Sequence, residues 1–411
     1  MCRRVGRRVR KIRAQMLSLS WRVNSSSIYP QTVDTPYGCG KCTNITAGGI
    51  SGARYSGLYV SFAMNINDIT DTILDESSSS SALQQALDAF LKQCSDASGI
   101  QSNRSFDAWA GDTLLETGVA INPQAAAHCV LDYQRSAVFI RGIYAAIETL
   151  RVRFPDTQLD ILYAGCGPFA TLLLPLLCKF SPGDLRIHLL DIHQRSLESV
   201  NLLMTHYGLA GNDFYTIQGD ACHYQHDVNL HLIIAETMQK SLEQEPQFAV
   251  TANLAPQLGP RGIFIPQRIE ISLCLADLDD ESTIYGKSPR VDPNLAEMEA
   301  RRFPIETIFT LSPSQVSEQL RTVQKNSHSN TLELDLTVVK IPPIKDMARF
   351  DAALFTRITV FGPYLLQDYE SEITLPQKCQ ELAPLAGGER YRISYQLGSY
   401  PRFNFERLGN P

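Results

Sequence analysis

Four short apolar runs, "LDILYAG", "LRIHLLD", "FYTIQGD" and "LHLIIAE", constrain the fold of this chain more than any other feature. Their length and apolar character read as strands, and the segments between them, "ATLLLPLLCKF" and "SLESVNLLMTHYGL", read as helices. Strand alternating with helix over short connections implies a parallel sheet covered on both faces, the doubly wound α/β architecture. After Gly262 the pattern changes. "RGIFIPQRIEISLCLADL", "TLELDLTVVKI", "ALFTRITVFGPYLL" and "RYRISYQLGSYPRFNFERL" alternate with period two and have no helices between them, which predicts an antiparallel, β-barrel-like domain. Residues 280–330 are polar and mixed and carry no clear period.

A chain of 411 residues exceeds one ordinary core. The expected divisions are a basic Ser/Arg-rich extension at 1–63, a helical segment at 64–122, a Rossmann-like domain at 123–261 and the β domain at 262–411. The extension has no acidic residue before Asp34. It reads as a disordered basic arm, as an organelle transit peptide, or as the product of a start assigned too early, with Met64 the true first residue. Its "CGKC" lacks the second ligand pair that a zinc site needs. The net charge of −6 argues against a nucleic-acid binder. No apolar run approaches the roughly 20 residues of a membrane span. Ten scattered cysteines fit reduced core thiols and a cytoplasmic location.

From Pro123, "PQAAAHCVLDYQRSAVFIRGIYAAIETLRVRF" reads as one long helix whose buried stripe is Phe139, Ile143, Ile147 and Leu150. Arg135 falls on that stripe one turn earlier. An inward guanidinium needs a partner, so Arg135 either holds an anion or reaches a nearby carboxylate such as Asp132.

"ILYAGCGPFATLL" is a strand, a glycine turn and a helix start. Gly165 and Gly167, with Cys166 between them, permit close approach by a ligand or merely form a tight turn; Phe169 stands where a third glycine is common. Asp191 ends the next strand, where a carboxylate can accept both hydroxyl protons of a ribose. "GDA" places Asp220 and Ala221 beside the same crevice, with Asp220 either meeting an adenine amino group or capping a turn. These residues point to an adenosine-bearing cofactor. NAD and S-adenosylmethionine both fit that description.

Beyond the fourth strand lies "ETMQKSLEQE". With "GCGPFA", Asp191, "GDA" and "LDYQRS", this stretch resembles the class I S-adenosylmethionine-dependent methyltransferases, specifically the protein arginine methyltransferases. Their double-glutamate loop has two glutamates nine positions apart, with a methionine two and a leucine six after the first; Glu236, Met238, Leu242 and Glu245 satisfy this spacing. The resemblance implies that Glu236 and Glu245 orient a guanidinium and help remove its proton, that Glu236 also borders the cofactor, and that Met238 shapes the pocket beside the reactive methyl. It implies that Arg135 holds the methionyl carboxylate, and that copies pair into a homodimer. Glu243 has no counterpart and reads as solvated.

Gln239 and Lys240 replace the family's glycine and tyrosine, and neither Trp21 nor Trp109 sits in its Thr-His-Trp motif. The acceptor favoured by these departures is a guanidino or amino nitrogen of a small molecule, such as arginine or a derivative, with a protein arginine as the alternative. An NAD-dependent oxidoreductase and an inactive binding module are the competing classes. His128, His223, His226 and His231 show no metal spacing, and no metal is assigned.

Overall fold

The computed structural model describes residues 64–102, 111–209, 211, 213–285, 295–326 and 331–409. The basic extension with its "CGKC" and Trp21, and also Trp109, lie outside the described residues.

Two helices come first, α1 (Ile66–Leu74) and α2 (Ser80–Ser98). Asn65 and Asp68 form a reciprocal capping box on α1, so both end amides find acceptors. Ser79 caps α2, its side chain accepting the Ala82 amide, and Gly99 ends it in the left-handed region at φ 71°. A small hairpin follows, β1 (Thr113–Leu115) against β2 (Gly118–Ala120).

The single helix expected from Pro123 is interrupted. It comprises α3 (Pro123–His128), a 3-10 turn at Cys129–Leu131 and α4 (Tyr133–Arg153). Asp132 causes the break: its carboxylate accepts the amide of Arg135 at 3.3 Å and so starts a new helix.

The four apolar runs are β3 (Leu159–Ala164), β4 (Leu185–Asp191), β5 (Asp213–Gln218) and β6 (Leu230–Ala235), with α5 (Gln194–His206) between β4 and β5. "ATLLLPLLCKF" is not an α-helix. Ala170 turns left-handed at φ 42°, Pro175 has no amide to donate, and the segment closes as a 3-10 stretch at Leu174–Lys179. Its leucines are still buried.

After α6 (Gln247–Leu254), β7 (Leu258–Ile265) pairs in parallel with β6. The parallel sheet, ordered β5-β4-β3-β6-β7, therefore extends past the expected 261/262 division. A hydrophobic run shared by two sheets carried no signal for where one ended. Along β3, Leu159, Ile161 and Tyr163 join one core cluster while Leu162 and Ala164 join another with Val250 and Leu254 of α6. All six β3 residues are buried, the burial expected of a central strand covered on both sides.

The rest is antiparallel. Its elements are β8 (Arg268–Ala276), α7 (Leu278–Tyr285), α8 (Leu295–Glu299), β9 (Phe303–Leu311), α9 (Val316–Thr322), β10 (Gln324–Lys325), β11 (Leu332–Lys340), β12 (Asp351–Phe361), β13 (Tyr364–Leu366), β14 (Gln377–Lys378), β15 (Arg390–Leu397) and β16 (Arg402–Leu408). One sheet runs β13-β12-β8-β9 with β14 beside β12, the other β10-β11-β15-β16. Phe309 of β9 stacks on Tyr395 of β15 at 5.3 Å between ring centroids, and Phe248 of α6 packs on both at 6.3 and 6.1 Å. This aromatic cluster joins the two sheets to the Rossmann-like half. No helix among the described residues is long and apolar enough to cross a membrane.

Candidate functional site

A cleft of about 510 Å³ opens where the strands β3, β4 and β6 end. Ligands of doubly wound sheets lie at such carboxyl ends, and the volume falls in the roughly 300–1,000 Å³ usual for small-molecule sites. Arg135, Gly165, Cys166, Gly167, Asp191, Asp220, Ala221, Glu236, Met238 and Glu245 all line it. The fold thus gathers every residue singled out in the sequence as a site candidate.

The glycine turn is built for its path. Gly165 and Gly167 have φ of 69° and 62°, and a Cβ on Gly165 would come within 2.5 Å of Thr237 Cγ2. The amide of Gly167 donates to Asp191 Oδ2 at 2.9 Å and that of His193 donates to Asp191 Oδ1 at 2.8 Å. Both carboxylate oxygens keep lone pairs for further donors. Asp220 caps its turn, accepting the Cys222 amide at 2.8 Å and meeting His223 Nδ1 at 2.8 Å.

Arg135 has its inward partner, which is Glu236 rather than Asp132. Nε donates to Glu236 Oε1 at 3.2 Å, Nη2 donates to Oε2, and Nη1 donates to the carbonyl of Cys129 at 3.3 Å. The two side chains are each 8% exposed. Burial disfavours charge on Arg135, but the adjacent Glu236 outweighs it and the guanidinium stays protonated. Burial also pushes the Glu236 carboxyl up, with Arg135 pulling it back. Glu245 forms no ion pair among the described residues, and Arg135 lowers it only from a distance. Burial first, then the neighbouring Glu236, raise it to about 8.

Gln247 fixes the peptides on either side of Glu236. Its Nε2 donates to the carbonyl of Ala235 at 2.9 Å, and its Oε1 accepts the amide and hydroxyl of Thr237, each at 2.9 Å. The loop beyond is strained, with Ser241, Leu242 and Gln244 at φ of 56°, 54° and 65°. The β domain holds it there. The Ser241 amide donates to Thr356 Oγ1 at 3.1 Å, the Tyr395 hydroxyl to the Leu242 carbonyl at 2.6 Å, and the Gln244 amide to the Pro401 carbonyl at 2.9 Å. Leu242 and Met238 are buried.

One expectation changes here. Glu243 is not a solvated bystander: it is half-buried and accepts from Gln377 Nε2 of β14. Lys240 is exposed and forms no ion pair with either glutamate among the described residues. A third carboxylate went unnoticed in the sequence. Asp112, before β1, accepts the Asn122 amide at 2.7 Å through Oδ1, while its buried Oδ2 has no hydrogen-bond partner among the described residues and the residue lines the cleft. It stands outside every recognised pattern, so only the fold could reveal it.

No family model matches this chain, and no curated protein does. Among solved structures, it is similar to the Trypanosoma brucei PRMT1 enzyme–prozyme heterotetrameric complex with AdoHcy, at 13% identity and a TM-score of 0.39, covering 68% of this chain and 92% of that one. It is also similar to Arabidopsis thaliana protein arginine methyltransferase 10, at 10% identity and a TM-score of 0.38, covering 65% and 86%.

Proposed function

We propose that the cleft catalyses S-adenosylmethionine-dependent methylation of a guanidino or amino nitrogen. One observation carries this reading: the buried Glu245 shares the cleft with Glu236, whose side chain is 8% exposed, and Glu236 already grips a guanidinium, that of Arg135, with both oxygens. A planar fork of N–H donors is the group such a carboxylate selects.

The donor set suits the cofactor. Asp191 offers acceptors for a ribose diol, Arg135 a cation for a carboxylate, and the orphaned Oδ2 of Asp112 an acceptor for an ammonium. Bound there, S-adenosylmethionine supplies a methyl group on a positively charged sulfur. Glu236 and Glu245 would hold the acceptor so that one nitrogen lone pair points at that methyl carbon, which saves most of the entropy of alignment. The sulfonium would supply the methyl and keep the C–S electron pair, and the extra proton on the acceptor nitrogen would pass to a carboxylate. Glu245, raised to about 8 in the empty cleft, is protonated near neutrality and would take up that proton only once a bound guanidinium has displaced its own. Met238, buried in the cleft wall, would pack beside the reacting atoms and help keep water out.

We favour a small-molecule acceptor such as arginine or a derivative, since Gln239 and Lys240 crowd the cleft at positions where the arginine methyltransferases carry glycine and tyrosine. The test offers radiolabelled cofactor with free arginine and, separately, with an arginine-rich protein. Label in the small molecule supports the preference; label in the protein band alone assigns the acceptor to proteins. A thermal-shift comparison of S-adenosylhomocysteine with NAD tests the cofactor, because a ligand that binds the native state raises its melting temperature. Stabilisation by NAD alone would overturn the reading.

A further inference from the structure

Away from the cleft, three ligand-type side chains converge that no histidine spacing in the sequence suggested. Asp160 lies on β3, His188 on β4 and His226 in the segment between β5 and β6, and one donor atom of each lies within 4.8 Å of the other two. His188 is 8% exposed, and its buried Nε2 has no hydrogen-bond partner among the described residues. An orphaned nitrogen in a native interior calls for an explanation.

The geometry supplies one. Nε2 of His188 stands 3.6 Å from Asp160 Oδ1, too far for a hydrogen bond. It is close to the roughly 3.3 Å that separates two ligands around a tetrahedral ion with bonds of about 2.0–2.1 Å. The rings of His188 and His226 meet at 68°, with centroids 4.3 Å apart, so they converge edge to face instead of stacking. Nδ1 of His226 bonds the Tyr224 hydroxyl at 2.7 Å, which orients the ring and leaves Nε2 as its other donor atom.

Arg186 Nη1 donates to Asp160 Oδ1 at 3.0 Å, but its charge is shared with Asp213, which accepts from Nε at 3.2 Å. His231 is already used: its Nδ1 accepts the Asp160 amide at 2.9 Å.

We propose that Asp160, His188 and His226 bind one divalent transition-metal ion of the zinc type, leaving its fourth position to water. Two imidazoles and one carboxylate suit zinc and its first-row neighbours better than calcium or magnesium, which prefer all-oxygen shells. The ion ties the segment after β5 to β3 and β4, outside the methyl-transfer cleft.

The experiment uses the full-length protein, stripped with chelator, kept reduced, and titrated with zinc and separately with cobalt. The wild type should bind one more zinc equivalent than His226→Gln. The cobalt spectrum of that equivalent should show d–d bands without thiolate charge transfer, which distinguishes it from cysteine sites. Tyr224→Phe keeps every ligand and should weaken binding about tenfold. Equal zinc stoichiometry in the wild type and His226→Gln, or thiolate charge transfer from the equivalent that differs, overturns the proposal. Should His226→Gln fail to fold, unchanged affinity in Tyr224→Phe overturns it.

Discussion

Replacing Glu245 by glutamine should make the protein more stable in mild base and less able to hold a guanidinium. The folded carboxyl keeps its proton up to about 8, whereas the unfolded chain releases it near the ordinary 4.5. Between those values the native state binds more protons than the unfolded state, so stability falls as pH rises; below them this residue contributes no slope. Each pH unit inside the window is worth about 1.4 kcal/mol, so the wild type should lose about 4 kcal/mol between pH 5 and 8 through this group. Glutamine has no proton to lose and largely escapes that slope. Glu236 is coupled to Glu245, and removing one charge relieves the other in the same direction. At roughly 2 °C per kcal/mol for a unit of this size, the variant should melt about 8 °C higher relative to wild type at pH 8 than at pH 5. Melting curves of both proteins at half-unit steps, without ligand, read this out. His188 and His226 titrate in both proteins and cancel in the difference. Parallel curves across pH 5–8 would refute a buried, uncompensated Glu245 and with it the role as proton acceptor.

Glu236→Gln keeps the shape beside Arg135 but removes the charge that partners it. Turnover should be abolished while cofactor binding stays measurable by calorimetry, at a stability cost of about 3 kcal/mol for the unpaired buried cation; unchanged turnover would sink the assignment. Gln247→Ala strips the clamp from the peptides flanking Glu236, and should cost about 1–3 kcal/mol. Its rate constant kcat should fall while cofactor affinity, measured by titration, holds. Equal loss in both would mean the residue acts on the whole fold and not on Glu236.

Much of this could be read from residues alone because the signals are local. Strands buried on both faces announce themselves as apolar runs, and the glycine turn and the acid of Asp191 follow at short range. What escaped was decided by distant partners. Arg135 and Glu236 are 101 residues apart, so no local rule could show that each satisfies the other. Glu243 looked solvated because Gln377, its partner, lies 134 residues on. The break at Cys129–Leu131 turned on the choice of Asp132 to cap a helix instead of joining one. Asp160 and His188 meet because the parallel strands β3 and β4 lie side by side, and His226 reaches them from the segment between β5 and β6.

The bonds that hold the strained loop in place carry a consequence for how the chain matures. Thr356 and Tyr395 lie 115 and 153 residues beyond the loop atoms they secure. A ribosome adds about 5–20 residues per second, so on the order of ten seconds separates synthesis of the glutamates from arrival of the residues that seat them. During that interval Glu236 and Glu245 belong to an unfinished nascent chain, with the left-handed backbone at Ser241, Leu242 and Gln244 unsupported. Vectorial synthesis therefore leaves the Rossmann-like half without a competent cleft until the β domain has emerged and docked, which makes this interval the natural window for chaperone protection.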